Sequence, residues 1–233
     1  WHLHNMAFSA DKIRQGAAGQ GGYELEQGLK LDADSYLSKT PSSSGNRKTW
    51  TFSAWVKRSK LGTNQGLIGD RESSDNGEMV LFFNTSDKLQ WTWYNGGYSH
   101  GVSIISNALY RDTSAWMHVV AVLDTTQGTD TNRMKIYVNG LLIPITKTNG
   151  AGSGYIPQNE QPDFNSADEE IHLAAWRRTG GGIEYELDGY LSEVNFIDGL
   201  AKAPADFGET GDYGEWKPIE YSGTYGTNGF YLP

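Results

Sequence analysis

Residues Trp50 to Val56 read Trp-Thr-Phe-Ser-Ala-Trp-Val, a run in which two kinds of side chain alternate. With the two-residue period of a β-strand, Trp50 and Val56 face one side together with the phenylalanine and alanine between them, whereas Trp55 faces the other side. A polar, glycine-containing segment on each flank predicts a strand bounded by loops. Burying one large apolar side chain contributes about 1.5 to 3 kcal/mol, so this strand is predicted in the middle of a sheet, with separate cover over Trp55.

The composition favours many short strands over helices. The chain has 233 residues and 29 glycines, about twice the usual glycine share of roughly 7%. Glycine, serine, threonine, asparagine and aromatic residues in this proportion suit strands joined by tight turns, and long amphipathic helical patterns are missing. The predicted fold class is therefore all-β, a single antiparallel β-sandwich.

The charge and cysteine content exclude several classes of partner. Lys and Arg total 19 against 28 for Asp and Glu, which gives a net charge of -9. Such a chain, without a local basic cluster, repels a phosphate backbone, so no nucleic acid partner is expected. The lack of cysteine excludes disulfides and thiolate metal sites. Apolar runs of strand length and an N-terminus without a signal-peptide pattern predict neither membrane insertion nor the usual secretory signal.

Two local patterns predict specific backbone features. The pair Asn139-Gly140 lies between apolar runs and accepts the positive φ angles of a type I′ hairpin turn. In the last long strand, Leu191 and Val194 are three residues apart, whereas Val194 and Phe196 are two apart. If all three enter the core, one extra residue between Leu191 and Val194 must form a β-bulge.

The order of several strand-like phrases resembles the laminin G-like, concanavalin A-like jelly rolls. The four phrases are Trp50–Lys57, Trp116–Val122, Lys135–Gly140 and Leu187–Val194. This resemblance implies an antiparallel jelly-roll sandwich over residues 28–208. Residues 1–27 then form an N-terminal extension, and residues 209–233 form a C-terminal segment that packs on or leaves the sandwich.

Within that superfamily, a second set of phrases is similar to structural proteins of marine bacteriophages, carried on tails or fibres. These phrases are Asn46–Trp50, Glu193–Leu200, Asp206–Glu209 and Tyr225–Tyr231. The resemblance implies a location in the virion, on a tail or fibre, or otherwise an extracellular one. It also implies a non-catalytic lectin-like or adhesion module that attaches to a cell-surface glycan. Further copies of the chain or other virion proteins are the expected protein partners.

An aromatic cluster around residue 94 is the first candidate for ligand contact. Flat rings beside amides and hydroxyls suit a sugar, which offers one apolar face and polar edges. Trp91 and Trp93 share the face of Leu89, so at least one of them is expected in the core. A long polar segment from Thr146 to Ala167 is predicted as a loop beside this cluster. The predicted ligand-binding residues of this cluster are Trp93, Tyr94, Asn95, Tyr98 and His100. A weaker second candidate, at the end of another predicted strand, comprises Trp176 and Arg177.

An acidic, glycine-containing loop is the candidate metal site. Asp70, Asp75 and Asn76, with Glu78 nearby, supply the hard oxygen ligands that calcium prefers, and the family resemblance also implies calcium. Acidic loops of this kind are more often simply solvated, so both interpretations stay open: no cofactor, or calcium at these residues. The five histidines do not have zinc-ligand spacing.

The carboxylates Glu184, Glu186 and Asp188 alternate, as on one face of a strand. Glucanases of the resembled fold carry Glu-x-Asp-x-Glu, whereas this chain has Glu-x-Glu-x-Asp with a glycine after the aspartate. Retaining hydrolysis needs two carboxyl groups about 5 to 5.5 Å apart, one of them kept protonated. We therefore expect no enzymatic activity and no catalytic residues. The alternatives are a jelly-roll glycoside hydrolase and a purely architectural virion subunit.

Overall fold

The structure is a computed structural model that describes residues 1–4, 8–9, 27–70, 76–95, 101–149, 155–177 and 182–233. Its described helices, Asp130–Asn132 and Pro204–Asp206, are short 3-10 turns. Neither is long and apolar enough to cross a membrane. In chain order the strands are β1 (His2–His4), β2 (Phe8–Ser9), β3 (Gly28–Leu31), β4 (Tyr36–Lys39), β5 (Thr49–Arg58), β6 (Gln65–Asp70), β7 (Asn76–Phe83), β8 (Leu89–Asn95), β9 (Gly101–Ser106), β10 (Met117–Asp124), β11 (Met134–Val138), β12 (Leu141–Leu142), β13 (Ile145–Asn149), β14 (Ile171–Leu173), β15 (Trp176–Arg177), β16 (Ile183–Glu184), β17 (Gly189–Asp198), β18 (Gly208–Thr210), β19 (Trp216–Pro218) and β20 (Phe230–Leu232).

The strands build two sheets that pack face to face around one large apolar core. Sheet A has the order β1-β4-β14-β6-β7-β8-β9-β13. Sheet B has the order β12-β11-β10-β5-β17-β3-β2, and β20 also pairs with β17. Two hairpins, β15–β16 and β18–β19, lie outside these sheets. Every strand pair in the described ranges is antiparallel, which confirms the predicted all-β sandwich of the jelly-roll type.

Strand β5 lies in the middle of sheet B, between β10 and β17, as its sequence predicts. On its inward face, the ring of Trp50 lies 5.3 Å from that of Trp91 on β8 and 4.8 Å from that of Phe164. Aromatic pairs at such distances contribute about 0.5 to 1.5 kcal/mol beyond their buried area. An aromatic contact therefore joins the two sheets near the centre of the core.

The outward face of β5 carries Trp55, which is covered by other elements as predicted. The ring of Trp55 stacks on that of His118 on β10, with 5.2 Å between their centroids. Trp216 on β19 stacks on the same histidine at 6.1 Å. The apolar cluster on this side of sheet B comprises Val120, Val122, Ile197, Phe207 and Tyr221. The chain after Leu200 thus lies against the outer face of sheet B.

Strand β17 contains the predicted β-bulge. Its register against β5 shifts between Ser192 and Asn195, and Glu193 within this step has a φ of 51°. The extra residue lets the unequally spaced apolar residues all face the core. These buried residues are Leu191, Val194 and Phe196.

A buried carboxylate at the end of β17 ties distant loops together. Asp198 accepts hydrogen bonds from the backbone N–H of Asn46 at 2.7 Å and of Asn228 at 3.0 Å. The side-chain amide of Asn165 donates to the same carboxylate at 2.8 Å. Bonds to an ionised acceptor are roughly twice as strong as neutral ones. Three segments that are distant in the sequence, Asn46–Trp50, Glu193–Leu200 and Tyr225–Tyr231, therefore meet around one aspartate.

Two predicted boundaries differ from the structure. Residues at the start of the predicted loop Thr146 to Ala167 belong instead to β13, an edge strand paired with β9. Side chains alternate from Glu170 to Trp176, which predicts one continuous strand, but the backbone breaks at Ala174, whose φ is 64°. Residues other than glycine rarely adopt positive φ, so alternation of side chains could not reveal this break. It separates β14, inside sheet A, from β15, outside it.

The substitution Gly140→Val is expected to destabilise the protein. Gly140 has a φ of 80° in the tight turn between β11 and β12, and a Cβ there would lie 2.6 Å from the ring of Trp216. Positive φ alone costs an L-residue about 1 to 2 kcal/mol, and the ring contact adds to this. Urea unfolding should show a lower midpoint. Gly128→Ala is the control, because nothing lies within 4 Å of an added Cβ there. An unchanged midpoint for Gly140→Val would contradict the turn assignment.

Acid should destabilise the fold through His118. Burial lowers the pKa of this histidine to about 3, whereas a histidine in an unfolded chain titrates near pH 6.5, as in model peptides. Between these values the unfolded state binds a proton that the folded state does not. The free energy of unfolding contributed by this group therefore falls by about 1.4 kcal/mol per pH unit as the pH drops from 6 towards 4.

Urea unfolding of the wild type and His118→Gln between pH 7 and pH 4 measures this dependence. Glutamine can still accept and donate hydrogen bonds, but it does not titrate, so its profile should be flatter. His2→Gln, at an exposed position, is the control and should keep the wild-type slope. Parallel profiles for wild type and His118→Gln would refute the burial effect.

Candidate functional site

The two sheets differ in what covers their outer faces. The C-terminal segment packs against the outer face of sheet B through Trp216 and Phe207. The outer face of sheet A carries a smaller apolar cluster formed by Val80, Phe82 and Trp176. Tyr94 and Tyr185 pack against this cluster and are only partly buried. Among the described residues, the outer face of sheet A therefore carries partly exposed aromatic rings.

Two glycines on β6 determine where β15 crosses sheet A. An added Cβ at Gly66 would lie 2.9 Å from the backbone of Ala175, and one at Gly69 would lie 3.0 Å from the ring of Trp176. These distances are shorter than normal van der Waals contact, so only glycine lets β15 lie this close. The Trp176 ring consequently rests on the strand and is 1% exposed.

Two aromatic rings pack against this buried tryptophan, and a third packs against one of them. The ring of Tyr94 is nearly parallel to that of Trp176, with 6.0 Å between centroids and 15° between planes. Tyr185 lies 5.2 Å from Trp176 and 5.0 Å from Phe82. Trp176 is thus a buried support, and the two tyrosines form the partly exposed surface of what we term the aromatic platform, namely Phe82, Tyr94, Trp176 and Tyr185.

A row of hydroxyl groups crosses the sheet beside the platform. Thr92 on β8, Ser103 on β9 and Thr148 on β13 are register partners, and they alternate with core residues, so they share the outer face. The hydroxyls of Thr92 and Ser103 lie 2.7 Å apart. Gln90 donates to Thr92 at 3.1 Å and extends the polar row. Rings next to amides and hydroxyls are the combination that a sugar requires.

Charged groups lie on the opposite side of the platform, over β4 and β14. Arg177 Nη1 lies 3.4 Å from Glu170 Oε2, and His172 Nε2 lies 3.5 Å from the same oxygen. The ring of Tyr36 is 5.8 Å from that of His172. Burial, then the charges of Glu170 and Glu186, raise the pKa of Tyr36, while Arg177 lowers it. Burial and the neighbouring carboxylates thus disfavour the charged phenolate of Tyr36.

The structure brings some of the predicted ligand residues together. Tyr94 and Trp176 touch in the platform, and Arg177 follows at its charged side. Asn95 is exposed at the end of β8, whereas Tyr98 and His100 lie outside the described residues. The surface role predicted for Trp93 needs correction, because its side chain is in the core and 4% exposed. It shares the inward face with Leu89 and Trp91, as strand alternation requires.

Sequence reasoning missed Tyr185, Ser103 and Thr148 as site residues. Tyr185 has a φ of 59°, outside regular strand geometry, so periodicity could not assign its direction. Ser103 and Thr148 could have been suspected from alternation within their strands. Their position next to Thr92, however, depends on cross-strand register, which becomes visible only in the folded chain.

The predicted carboxylate row is not a strand face. Glu184 ends β16, and β17 begins only at Gly189, so Glu186 and Asp188 lie in the connection between them. The positive φ of Tyr185 interrupts the alternation on which the comparison with glucanases was based. The arrangement of these three carboxylates therefore departs from the glucanase pattern in backbone geometry as well as in sequence.

A serine–histidine contact beneath the C-terminal segment also lacks catalytic geometry. Ser53 Oγ lies 2.8 Å from His118 Nε2, and Trp216 Nε1 donates to His118 Nδ1 at 2.9 Å. Because Nδ1 accepts from tryptophan, Nε2 carries the ring proton and donates to the serine. A general base would need Nε2 unprotonated, and both side chains are buried. This contact is structural.

Where the central strands β6 and β7 of sheet A meet the candidate metal loop, two of its carboxylates are buried. Asp70 Oδ1 accepts the N–H of Met79 at 2.7 Å, while its Oδ2 has no hydrogen-bond partner among the described residues. Glu78 is also buried. Burial, together with the charges of Glu78 and Glu169, raises the pKa of Asp70 well above its usual value. A buried carboxyl group of this kind needs a proton or a cation to offset its charge.

Whether these groups bind calcium depends on residues that are only partly described. Asp75 lies outside the described residues, and Asn76 begins β7. The described ranges contain no group of three or more histidine, aspartate or glutamate side chains that could hold a metal. Asp70 and Glu78 fit calcium in ligand type, since it prefers carboxylate oxygens, but they supply only two side chains.

The sequence between residues 31 and 203 matches a laminin G-type family model described as the concanavalin A-like lectin/glucanases superfamily. This match spans more than half of the 233 residues. The chain belongs to the concanavalin A-like lectin/glucanase superfamily. A comparison with curated proteins finds no match. The fold part of the sequence-based resemblance is therefore confirmed by an independent comparison.

Solved structures share this superfamily fold at low identity. Domain 4 of AbnA, a GH43 extracellular arabinanase from Geobacillus stearothermophilus in complex with arabinotriose, is 16% identical with a TM-score of 0.54, covering 86% of this chain and 78% of that chain. The NanB sialidase from Streptococcus pneumoniae is 18% identical with a TM-score of 0.52, covering 76% of this chain and 26% of that chain. These likenesses show the fold alone.

Calcium removal tests the proposed metal site. If a cation lies between Asp70 and Glu78, calcium at 100 times its Kd should add about 2.7 kcal/mol to the free energy of unfolding. Excess EDTA should then lower the Tm, and added calcium should restore it. Asp70→Asn should abolish this response, whereas Asp32→Asn, at an exposed position, should keep it. A wild-type Tm unaffected by either addition would leave Asp70 as a protonated structural acid.

Proposed function

We propose that this protein is a non-catalytic carbohydrate-binding module whose ligand lies on the outer face of sheet A. The observation that carries this proposal is the aromatic platform beside the hydroxyl row: Tyr94 stacks over Trp176, with Thr92 and Ser103 alongside. A sugar ring stacks its apolar face on a tyrosine and directs its hydroxyls to neighbouring polar groups. The superfamily membership and the arabinotriose complex of the arabinanase domain support the same function.

Two features support binding without catalysis. Glu184, Glu186 and Asp188 do not form the carboxylate row of a glucanase strand. In the Ser53–His118 contact, the histidine nitrogen that faces the serine is protonated, so it cannot take the serine proton as a general base would. The partial exposure of Tyr94 and Tyr185 also favours a ligand-binding surface over a purely architectural subunit. An architectural role would predict aromatic groups covered within the chain or by its neighbours.

The narrower proposal is attachment of a phage particle to a host-surface glycan. It rests on the phrases that resemble phage tail or fibre proteins, three of which meet around Asp198. Several copies on one particle would raise avidity through effective concentration, even if each site binds weakly. Assembly with further copies of the chain or with other virion proteins belongs to the same proposal, as does a virion or extracellular location.

Tyr94→Ala is expected to weaken glycan binding at least several-fold with a small change in Tm. The reason is that a partly exposed ring contributes to stacking on the ligand more than to the core. Glycan-array retention followed by calorimetric titration of the best ligand provides the measurement. Tyr213→Ala is the matched control, since Tyr213 is 90% exposed in the C-terminal segment, away from sheet A. Equal binding by wild type and Tyr94→Ala would place the ligand elsewhere.

A reducing-sugar assay separates the binding module from a glycoside hydrolase. The bound glycans should release no reducing ends on prolonged incubation. Release that disappears in Glu184→Gln or Glu186→Gln, while binding is kept, would establish the hydrolase alternative.

A further inference from the structure

The charged side of the aromatic platform carries several carboxylates, whereas the other side carries hydroxyl groups. Glu170 precedes β14, and Glu184 and Glu186 follow one another closely at and after β16. All three glutamates are partly buried. Glu184 is the register partner of Trp176, the buried support of the platform. Glu184 therefore lies beside the platform, and Glu186 is close enough to Tyr36 on β4 to raise its pKa.

On this side of the platform, the positive charge of Arg177 is already balanced by a carboxylate. Arg177 lies 3.4 Å from Glu170, so its charge opposes one carboxylate. Glu184 and Glu186 form no ion pair with a cation of the described ranges. An anionic ligand that displaced Glu170 from Arg177 would leave that carboxylate next to the other two. Partly buried like charges repel more strongly than solvated ones, because the local dielectric is lower.

The behaviour of Tyr36 is consistent with a negative field here. After burial, the largest influence on its pKa is Glu170, which raises it, and Glu186 acts in the same direction. Arg177 opposes both and does not reverse the shift. A negative field that disfavours the phenolate would favour an ammonium group placed nearby.

We propose that the platform selects oligosaccharides that carry a free, protonated amino group, in preference to their N-acetylated counterparts and to sugars with carboxylates. This inference rests on the proposed carbohydrate-binding function. The sugar ring at Tyr94 directs a hydroxyl to the partly exposed Ser103, and an amino group on a neighbouring sugar lies by Glu184 and Glu186. An ammonium group supplies three donors, which suits carboxylate acceptors.

The spacing of the strands indicates that the ligand contains more than one sugar. In sheet A, β6 and β7 separate β14 from β8. Neighbouring strands are about 4.8 Å apart, so Glu170, which precedes β14, is separated from Thr92 on β8 by roughly 14 Å. A single ring stacked on Tyr94 cannot reach both sides, whereas a short oligosaccharide can.

The test uses short glucosamine and galactosamine oligomers, each as the free amine and in N-acetylated form, with oligogalacturonate as the anionic probe. Calorimetric titration at low salt should give tighter binding of the free amine than of its N-acetylated partner, and no binding of oligogalacturonate. Glu184→Gln and Glu186→Gln should each weaken binding of the amine about two- to fivefold, as expected for partly solvated ion pairs. Binding of the N-acetylated oligomer should remain unchanged. The preference should shrink as salt is raised.

Controls distinguish a specific site from general attraction to an acidic protein. Glu215 is exposed in the C-terminal segment, so Glu215→Gln should leave amine binding unchanged. Tyr94→Ala should weaken the binding of every sugar tested. Amine binding that survives Tyr94→Ala, or that falls equally in Glu215→Gln, overturns the inference. Equal binding of both forms, or preference for oligogalacturonate, overturns it too but leaves the proposed function standing. Binding of no sugar in this set or on the glycan array overturns the proposed function itself.

Discussion

The need to bury both faces of β5 governs the arrangement of the whole chain. Trp50 and Trp55 point to opposite sides of one central strand, and a sheet face that carries a tryptophan requires a second layer. Sheet A covers Trp50 through Trp91, and the C-terminal segment covers Trp55 through His118 and Trp216. Sheet B is therefore packed on both sides, whereas the outer face of sheet A keeps partly exposed aromatic rings within the part of the chain that the structure describes.

The candidate site is produced by a second, smaller packing constraint on that remaining face. Glycines at positions 66 and 69 leave no side chain over β6, and the positive φ of Ala174 turns the chain out of sheet A. The Trp176 ring then fills the space above Gly69 and supports Tyr94 and Tyr185. The platform thus depends on these two glycines as much as on its aromatic residues. Rigid support of this kind lowers the entropy that ligand binding would otherwise cost.

Acidic groups gather at one end of sheet A, and burial gives them different roles. Asp70 and Glu78 are buried on the central strands β6 and β7, where a charge without a partner is unfavourable. Asp198, on sheet B, is also buried but accepts three hydrogen bonds, so the same residue type there acts as a structural anchor. Glu184 and Glu186 are partly exposed, and Glu184 is the register partner of Trp176 in the platform. The buried carboxylates therefore differ in the number of hydrogen bonds that they accept, rather than in their charge.

Local patterns in the sequence determined the strands, the Asn139-Gly140 turn and the bulge before Val194, because each depends on the spacing of neighbouring residues. They also identified Tyr94 and Trp176 as candidates, but as two separate ones. Only the tertiary structure decided that these two rings touch, that Trp93 faces the core, and that Ser103 lies beside Thr92. Contacts between distant segments depend on strand register and on single backbone angles such as that of Ala174, which side-chain periodicity does not encode.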